Sequence, residues 1–316
     1  MKSIIGYIRE FFHEQWNPVL FASLAILLLV SFVINYHFDL ERNIIQGLSN
    51  PLQQVVFYLF FYAVPYVVAL ILVAISTRRK PILRTKGLWP LMAFCFVLLA
   101  LYVSLHNVPL FLLRTHPHIF DLVPETFHAY AVRCTSNLLP GLIMFVPIAI
   151  YWYVKDRSGS RLYGFSASGI NLRTYASIVL LLMPIVLAAS FSNDFQAAYP
   201  RYKFGLPGLS GPEKSGLVSL FEICYGVDFV FVELFFRGFM VMAFSRYLGS
   251  ASILPMVVAY AFIHFQKPLG EAIASIVGGL VLGIISYRTK SIYGGIILHL
   301  GVAFLMELAG SLHVLF

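Results

Sequence analysis

Long apolar runs separated by short polar loops occur from one end of the chain to the other. A run of about 20 apolar residues is long enough to cross the hydrocarbon core of a bilayer as a helix. The runs are continuous and do not alternate between apolar and polar residues, which argues against a transmembrane β-barrel. The pattern therefore predicts an all-α polytopic membrane protein with about nine transmembrane helices. The predicted spans are residues 18–36, 54–76, 88–106, 138–154, 174–192, 217–245, 251–266, 270–287 and 291–315.

The composition agrees with a membrane protein, because 59% of the residues are hydrophobic and only 11% are charged. A soluble domain usually carries about 25% charged residues. The net charge of +8 does not indicate a nucleic-acid partner, since the basic residues lie mostly in the predicted loops. They are about twice as frequent in the loops that are cytoplasmic when the N-terminus is cytoplasmic. This bias predicts a multi-pass protein with a cytoplasmic N-terminus, in contact with membrane lipids and without a nucleic-acid partner.

One predicted span, within residues 216–248, differs from the others because it carries Glu222, Asp228, Glu233 and Arg237. A charged side chain near the bilayer centre costs about 2.5–3.5 kcal/mol, so these groups must face partners, water or a substrate. A helix turns about 100° per residue, which places Glu222, Glu233 and Arg237 on one face. Glu233 and Arg237 are then spaced to form an ion pair. Asp228 lies on a different stripe of the helix.

Two later spans add histidines to this set of polar residues. Tyr260 lies one turn before His264, and Glu307 lies two turns after His299. If these groups converge, they could act by general-base catalysis or by metal-assisted activation of water. The residues alone leave other interpretations open: a structural ion pair, histidines that are satisfied within the core, or a polar pathway for transport.

Three short motifs in this half of the chain resemble motifs of the CPBP family. This family contains the type II CAAX prenyl endopeptidases, bacteriocin-processing (Abi-like) proteins and bacterial relatives. The first stretch resembles the second half of Glu-Glu-x-x-x-Arg, the second resembles Phe-x-x-x-His with tyrosine for phenylalanine, and the third resembles His-x-x-x-Asn. The stretches are Glu233-Leu-Phe-Phe-Arg237, Tyr260-x-x-x-His264 and His299-x-x-x-Ala303.

The resemblance covers residues 174–316 and implies a CPBP-like intramembrane peptidase domain formed by the C-terminal helices. It also implies a bacterial inner (plasma) membrane location and a peptide or protein substrate. Residues 1–160 form an N-terminal transmembrane block of unknown role. By resemblance, Glu233 activates water and Arg237 holds Glu233, while His264 and His299 position water or bind a divalent metal such as zinc.

Two positions depart from the family pattern. Val232 stands where the family has its first glutamate, and Ala303 stands where it has an asparagine. Asp228, one turn before Val232, and Glu307, one turn after Ala303, are therefore added to the predicted catalytic residues as possible replacements. The alternative hypothesis is a catalytically inactive CPBP-fold protein that serves as a membrane scaffold or binds a partner.

Overall fold

The computed structural model describes residues 3–48, 50–77, 80–157, 161–167, 171–202 and 210–315. Within these ranges the chain is helical and contains no strand, which confirms the all-α prediction. The α-helices are α1 (Ile4–Gln15), α2 (Pro18–Phe38), α3 (Pro51–Ser76), α4 (Leu88–Leu105), α5 (Val108–Thr115), α6 (His128–Tyr151), α7 (Leu172–Ala189), α8 (Asn193–Ala198), α9 (Gly211–Glu233), α10 (Phe244–Leu248), α11 (Ile253–Phe262), α12 (Leu269–Thr289) and α13 (Tyr293–Leu315). The π-helical segments are Glu41–Ile45, Trp152–Asp156 and Leu234–Ala243.

Seven helical segments of the described chain are long and apolar enough to span a membrane. The predicted count of about nine is thus approximate, and the predicted spans 217–245 and 251–266 are not among the seven. The first of these carries several charged residues and changes from α- to π-helix at Leu234. The second corresponds to α11, whose 10 residues extend only about 15 Å, half the thickness of the hydrocarbon core.

The outward surfaces of the spans are apolar, as expected for helices in contact with lipid. In α7, Tyr175 is the one buried side chain, whereas Leu181 and Ile185 are 74% and 66% exposed. Such a surface would be unstable in water, because large contiguous apolar patches are rare on soluble monomers. With the seven spans, it identifies a multi-pass membrane protein.

Asparagine and proline together start two of the spans. Asn17 precedes Pro18 and its side chain accepts a hydrogen bond from the backbone N–H of Leu20. Asn50 precedes Pro51 and caps α3 in the same way. The proline has no N–H to leave unsatisfied, and the asparagine oxygen binds one of the free N–H groups of the first turn.

The described chain forms two compact units that alternate along the sequence. The first unit comprises Met1–Ala100, Ala149–Asn171 and Glu233–Gly295. The second unit comprises Leu101–Ile148, Leu172–Val232 and Ile296–Phe316. The division predicted from sequence, with a block at 1–160 and a domain at 174–316, stays a prediction.

The first unit is built around α11, which is buried along its whole length between α3 and α12. Small residues let α12 approach closely. A Cβ atom added at Gly283 would lie 2.8 Å from Met256 Cε and 2.9 Å from Ile253 Cγ2. At Gly279 it would lie 3.0 Å from Tyr260 Cδ1. The repeat of small residues at positions 275, 279 and 283 is therefore a packing face.

The second unit brings together α6, α7, α9 and α13. A Cβ atom at Gly226 of α9 would lie 3.2 Å from the Phe304 ring of α13, and one at Gly301 would lie 2.6 Å from Val179 of α7. The hydroxyl of Tyr130 in α6 donates a 3.0 Å hydrogen bond to the carbonyl of Leu217 in α9. These contacts place the half of α9 that carries Asp228 against α13.

The small face of α12 yields a test with a matched control. We expect Gly283→Leu to destabilise the protein by about 1–3 kcal/mol, because it overpacks the contact between α11 and α12. Gly278→Leu makes the same change on the same helix, where an added Cβ has no neighbour within 4 Å. Thermal unfolding in detergent should show a lower midpoint for the first variant and a wild-type midpoint for the second. Equal midpoints would contradict the packing face.

Candidate active site

The first unit holds a buried ion pair at the point where α9 becomes π-helical. Arg237 Nη1 lies 3.1 Å from Glu233 Oε1, and both side chains are 0% exposed. The structure confirms the predicted pairing. The wider π-helical turn, Leu234–Ala243, begins directly after Glu233. Such turns within α-helices occur frequently at functional sites.

Because the pair is buried, each charge is stabilised mainly by the opposite charge of its partner. Removing one partner of a buried ion pair typically costs about 3–5 kcal/mol, because the remaining charge stays uncompensated. Apart from the ion pair and the contact with Tyr260, the guanidinium nitrogens of Arg237 make no hydrogen bond of good geometry among the described residues. Arg237 thus offers buried N–H donors to a water molecule or to the carbonyl oxygen of a peptide.

Tyr260 of α11 lies beneath the arginine. The guanidinium carbon of Arg237 is 3.8 Å from the centroid of the Tyr260 ring, and Phe236 packs edge-on against the same ring at 5.1 Å. The ring therefore supports the cation through its π face. Because phenylalanine provides the same face, the tyrosine at this motif position retains the feature that the arginine contacts.

His264 follows α11 by one short turn and is 9% exposed. Its ring is 4.5 Å from that of Tyr260, and its Nδ1 lies 2.8 Å from the Tyr260 carbonyl oxygen. A carbonyl can only accept, so Nδ1 carries the proton, and in the neutral ring Nε2 is then an acceptor. The described backbone thus sets the tautomer of His264.

Gly295 is a site residue that sequence reasoning missed. A Cβ atom at this position would overlap Glu233 Oε2. The glycine thus lets the backbone at the start of α13 approach the carboxylate. The sequence did contain an indication of this contact, because two adjacent glycines lie about one turn before His299 of the third motif.

Asp228 belongs to the second unit and has two partners from α4 and its end. Tyr102 donates a 2.8 Å hydrogen bond to Asp228 Oδ1, and His106 Nε2 lies 3.8 Å from Oδ2. His106 Nδ1 is in turn 2.9 Å from the Tyr102 carbonyl. Sequence reasoning did not identify this cluster, although Tyr102 and His106 have the i,i+4 spacing that places them together on a helix.

His299 and Glu307 also belong to the second unit, with different neighbours. The half-buried His299 ring lies 4.4 Å from the Phe229 ring. Both carboxylate oxygens of Glu307 accept from the backbone N–H of Arg201, at 3.0 and 2.8 Å. Ala303, at the position of the family asparagine, is buried in an apolar cluster. Glu307 therefore holds the backbone of the segment that follows α8.

Comparison with protein families places all three motif stretches in one domain. Residues 216–305 match the family model described as Rce1-like, type II CAAX prenyl endopeptidase Rce1-like. This segment is similar to the Rce1-like family. The match is consistent with the CPBP resemblance of the motifs. Searches of curated proteins and of solved structures each found no match to the chain.

The described side chains offer few ligands for the divalent metal that the motif resemblance implies. Among the described residues, no group of three or more His, Cys, Asp or Glu side chains is arranged to hold a metal ion. Structural and catalytic zinc sites usually supply at least three protein ligands. The described residues therefore do not form a recognisable zinc site.

The contact between Arg237 and Tyr260 yields a test of how the ring supports the cation. We expect Tyr260→Phe to unfold at nearly the wild-type temperature, since the aromatic face remains. Tyr260→Leu should lower the free energy of unfolding by about 2 kcal/mol, which is the contribution of a desolvated cation–π contact. Thermal unfolding in detergent measures both variants. A leucine variant as stable as the phenylalanine variant would show that the ring does not support Arg237.

Proposed function

We propose that this protein is a CPBP-type integral membrane endopeptidase that hydrolyses a peptide bond within or near the membrane. The chain is a multi-pass membrane protein with an Rce1-like domain, a membrane CAAX-type protease fold. The observation that carries the proposal is the buried pair of Glu233 and Arg237, in which a carboxylate stands beside unsatisfied N–H donors. Such a pair combines a carboxylate that can accept a proton with N–H groups that can donate hydrogen bonds to an oxyanion.

In the proposed reaction, a water oxygen attacks the carbonyl carbon of the scissile peptide while Glu233 accepts its proton. Arg237 donates hydrogen bonds to the oxygen that gains negative charge. Glu233 then gives the proton to the amide nitrogen, and the C–N bond breaks. The products are a carboxylic acid and an amine. His264 presents Nε2 as an acceptor that orients the water.

The other predicted residues have secondary roles in the proposal. His299 is included on its motif alone, as a residue that positions water. Asp228 is the alternative base in place of the glutamate absent at Val232, but its bond to Tyr102 occupies one carboxylate oxygen. The bonds of Glu307 to Arg201 favour a role in holding the loop that follows α8.

The proposal also includes the location predicted from sequence, a bacterial inner membrane with the N-terminus on the cytoplasmic side. The excess of basic residues in one set of loops supports this orientation. The substrate is then a peptide or protein that reaches the membrane.

Proteoliposomes that contain the full-length chain provide the activity test. They are incubated with solubilised membrane proteins, and new N-termini are identified by mass spectrometry. Wild-type protein should generate a reproducible set of cleavage sites. Glu233→Gln keeps the shape of the side chain but removes the base, so cleavage should fall roughly 100-fold or more. His264→Ala and His299→Ala should also lower the cleavage rate.

Glu213→Gln is the matched control, because it removes a carboxylate from an exposed position at the start of the same helix. It should cleave at the wild-type rate. Full cleavage by all three active-site variants would show that the catalytic assignment is wrong. Thermal unfolding of each variant verifies that lost cleavage reflects lost chemistry and not lost folding.

An inactive scaffold is the second candidate, and two observations favour it. Glu233 and Arg237 are both 0% exposed, and the positions of the first family glutamate and of the asparagine are occupied by the buried Val232 and Ala303. In this case the ion pair serves stability alone, and the protein binds a membrane partner without cleaving it.

A double-mutant cycle separates stability from catalysis. Arg237→Leu alone should cost about 3–5 kcal/mol, because it leaves Glu233 charged and uncompensated. Adding Glu233→Leu should recover much of that loss, since both charges are then gone. The scaffold hypothesis predicts that the double variant retains partner binding, whereas the peptidase hypothesis predicts that it folds but does not cleave.

A further inference from the structure

Two cysteines of the second unit lie against each other, one on α6 and one on α9. The thiol of Cys134 is in hydrogen-bonding contact with the thiol of Cys224. The structure holds both residues as free thiols. Neither residue belongs to the proposed catalytic set. This cysteine pair is therefore a feature that the proposed function does not explain.

Contacts on either side of the cysteine pair show how α6 and α9 pack. Before the pair, the Tyr130 hydroxyl donates its 3.0 Å hydrogen bond to the Leu217 carbonyl. Two turns after the pair, Gly141 faces Phe231, and a Cβ atom added at the glycine would overlap the aromatic ring. Residue numbers rise together along the two helices, so α6 and α9 run side by side in the same direction. The cysteine pair thus lies within a continuous contact between two helices.

The surroundings of the cysteine pair are compatible with a disulfide. Cys224 is 5% exposed, and Cys134 packs against an apolar cluster that includes Phe221 and Tyr225. A disulfide has no N–H or O–H group, so its burial among these rings leaves no polar donor unsatisfied. The helices are already in contact. Rotation about the side-chain bonds is therefore the movement that brings the two sulfur atoms to the bonding distance of about 2.05 Å.

The two thiols differ in exposure, which determines the order in which they react. Cys134 is half-buried, whereas Cys224 is buried. An external oxidant therefore reaches Cys134 first, because reactive cysteines are those that solvent can reach. In the orientation proposed above, the segments that precede α6 and α9 lie on the outer side of the membrane. In bacteria that side is oxidising, and disulfides persist there.

We propose that Cys134 and Cys224 form a reversible disulfide that ties α6 to α9. The Cys134 thiolate attacks a disulfide oxidant, which forms a mixed disulfide and releases one thiol of the oxidant. The Cys224 thiolate then attacks the Cys134 sulfur, which forms the protein disulfide and releases the second thiol. Two protein thiols are oxidised, one oxidant disulfide is reduced, and the two protons pass to the released thiols.

The bond has a structural consequence for α9. Asp228 lies one turn after Cys224, so the disulfide fixes the half of α9 that carries this carboxylate against α6. The contact between the cysteines is independent of peptidase activity. Only the assignment to the outer side rests on the orientation included in the proposed function.

Purified full-length protein in detergent tests the bond, with oxidised glutathione as the oxidant. Thiols that remain after oxidation are labelled under denaturing conditions with a polyethylene-glycol maleimide and counted by gel shift. The chain has 3 cysteines, so reduced protein should carry a label on each and oxidised protein only on Cys95. Mass spectrometry should identify peptides joined through Cys134 and Cys224. Full labelling after oxidation, or Cys134 joined only to glutathione, would overturn the proposal.

Three alanine variants assign the effect to the cysteine pair. Cys95→Ala is the matched control, because Cys95 belongs to α4 in the first unit. Oxidation should raise the thermal midpoint of the wild type and of this control by several degrees, since a cross-link that closes a long loop restricts the unfolded chain. Cys134→Ala and Cys224→Ala should show no such shift and no joined peptides. An equal rise in these two variants would contradict the assignment.

A cellular arm tests the side of the membrane separately. Cells that express the full-length chain are quenched with acid to trap the thiols, and the protein is then labelled as above. We expect Cys134 and Cys224 to be joined in untreated cells and labelled in cells exposed to dithiothreitol. A pair that oxidises after purification but is reduced in untreated cells would overturn the assignment to the oxidising side. This readout requires no cleavage, so failure of the peptidase proposal leaves it unchanged.

Discussion

The ion pair between Glu233 and Arg237 constrains the first unit, because two opposite charges lie there without any exposure. Each charge requires its partner, and the surroundings accommodate both. The Tyr260 ring supports the guanidinium, and the absence of a side chain at Gly295 makes room for the carboxylate. The small residues of α12 then allow α11, which carries Tyr260, to be enclosed on all sides. Placement of the charges thus determines which residues around them can be large.

The two positions that depart from the family pattern lie in buried, apolar surroundings. Val232 and Ala303 are buried and apolar, so no polar side chain of another type replaces the family residue at either position. The carboxylates that lie one helical turn from them, on the same stripe of each helix, have partners of their own. Asp228 accepts from Tyr102, and Glu307 holds the backbone of Arg201. In the peptidase hypothesis, the chemistry therefore rests on Glu233 and its arginine, whereas in the scaffold hypothesis the same pair has only a structural role.

The sequence by itself determined the features that depend on local geometry. Hydropathy predicted an all-α multi-pass protein, since the length of an apolar run is a local property. Helical periodicity predicted the pairing of Glu233 with Arg237 and the small face at positions 275, 279 and 283 for the same reason. Motif order identified the segment that matches the Rce1-like family model.

Only the tertiary structure decided which distant segments meet. Tyr102 and Asp228 are 126 positions apart, and Arg201 and Glu307 are 106 positions apart, so no local pattern relates them. The length of α11 was also decided by the tertiary structure, because the helix ends after 10 residues in a turn whose Phe265 carbonyl accepts a hydrogen bond from Asn35. Periodicity states which side chains share a face, but the packing of one helix on another determines what that face contacts.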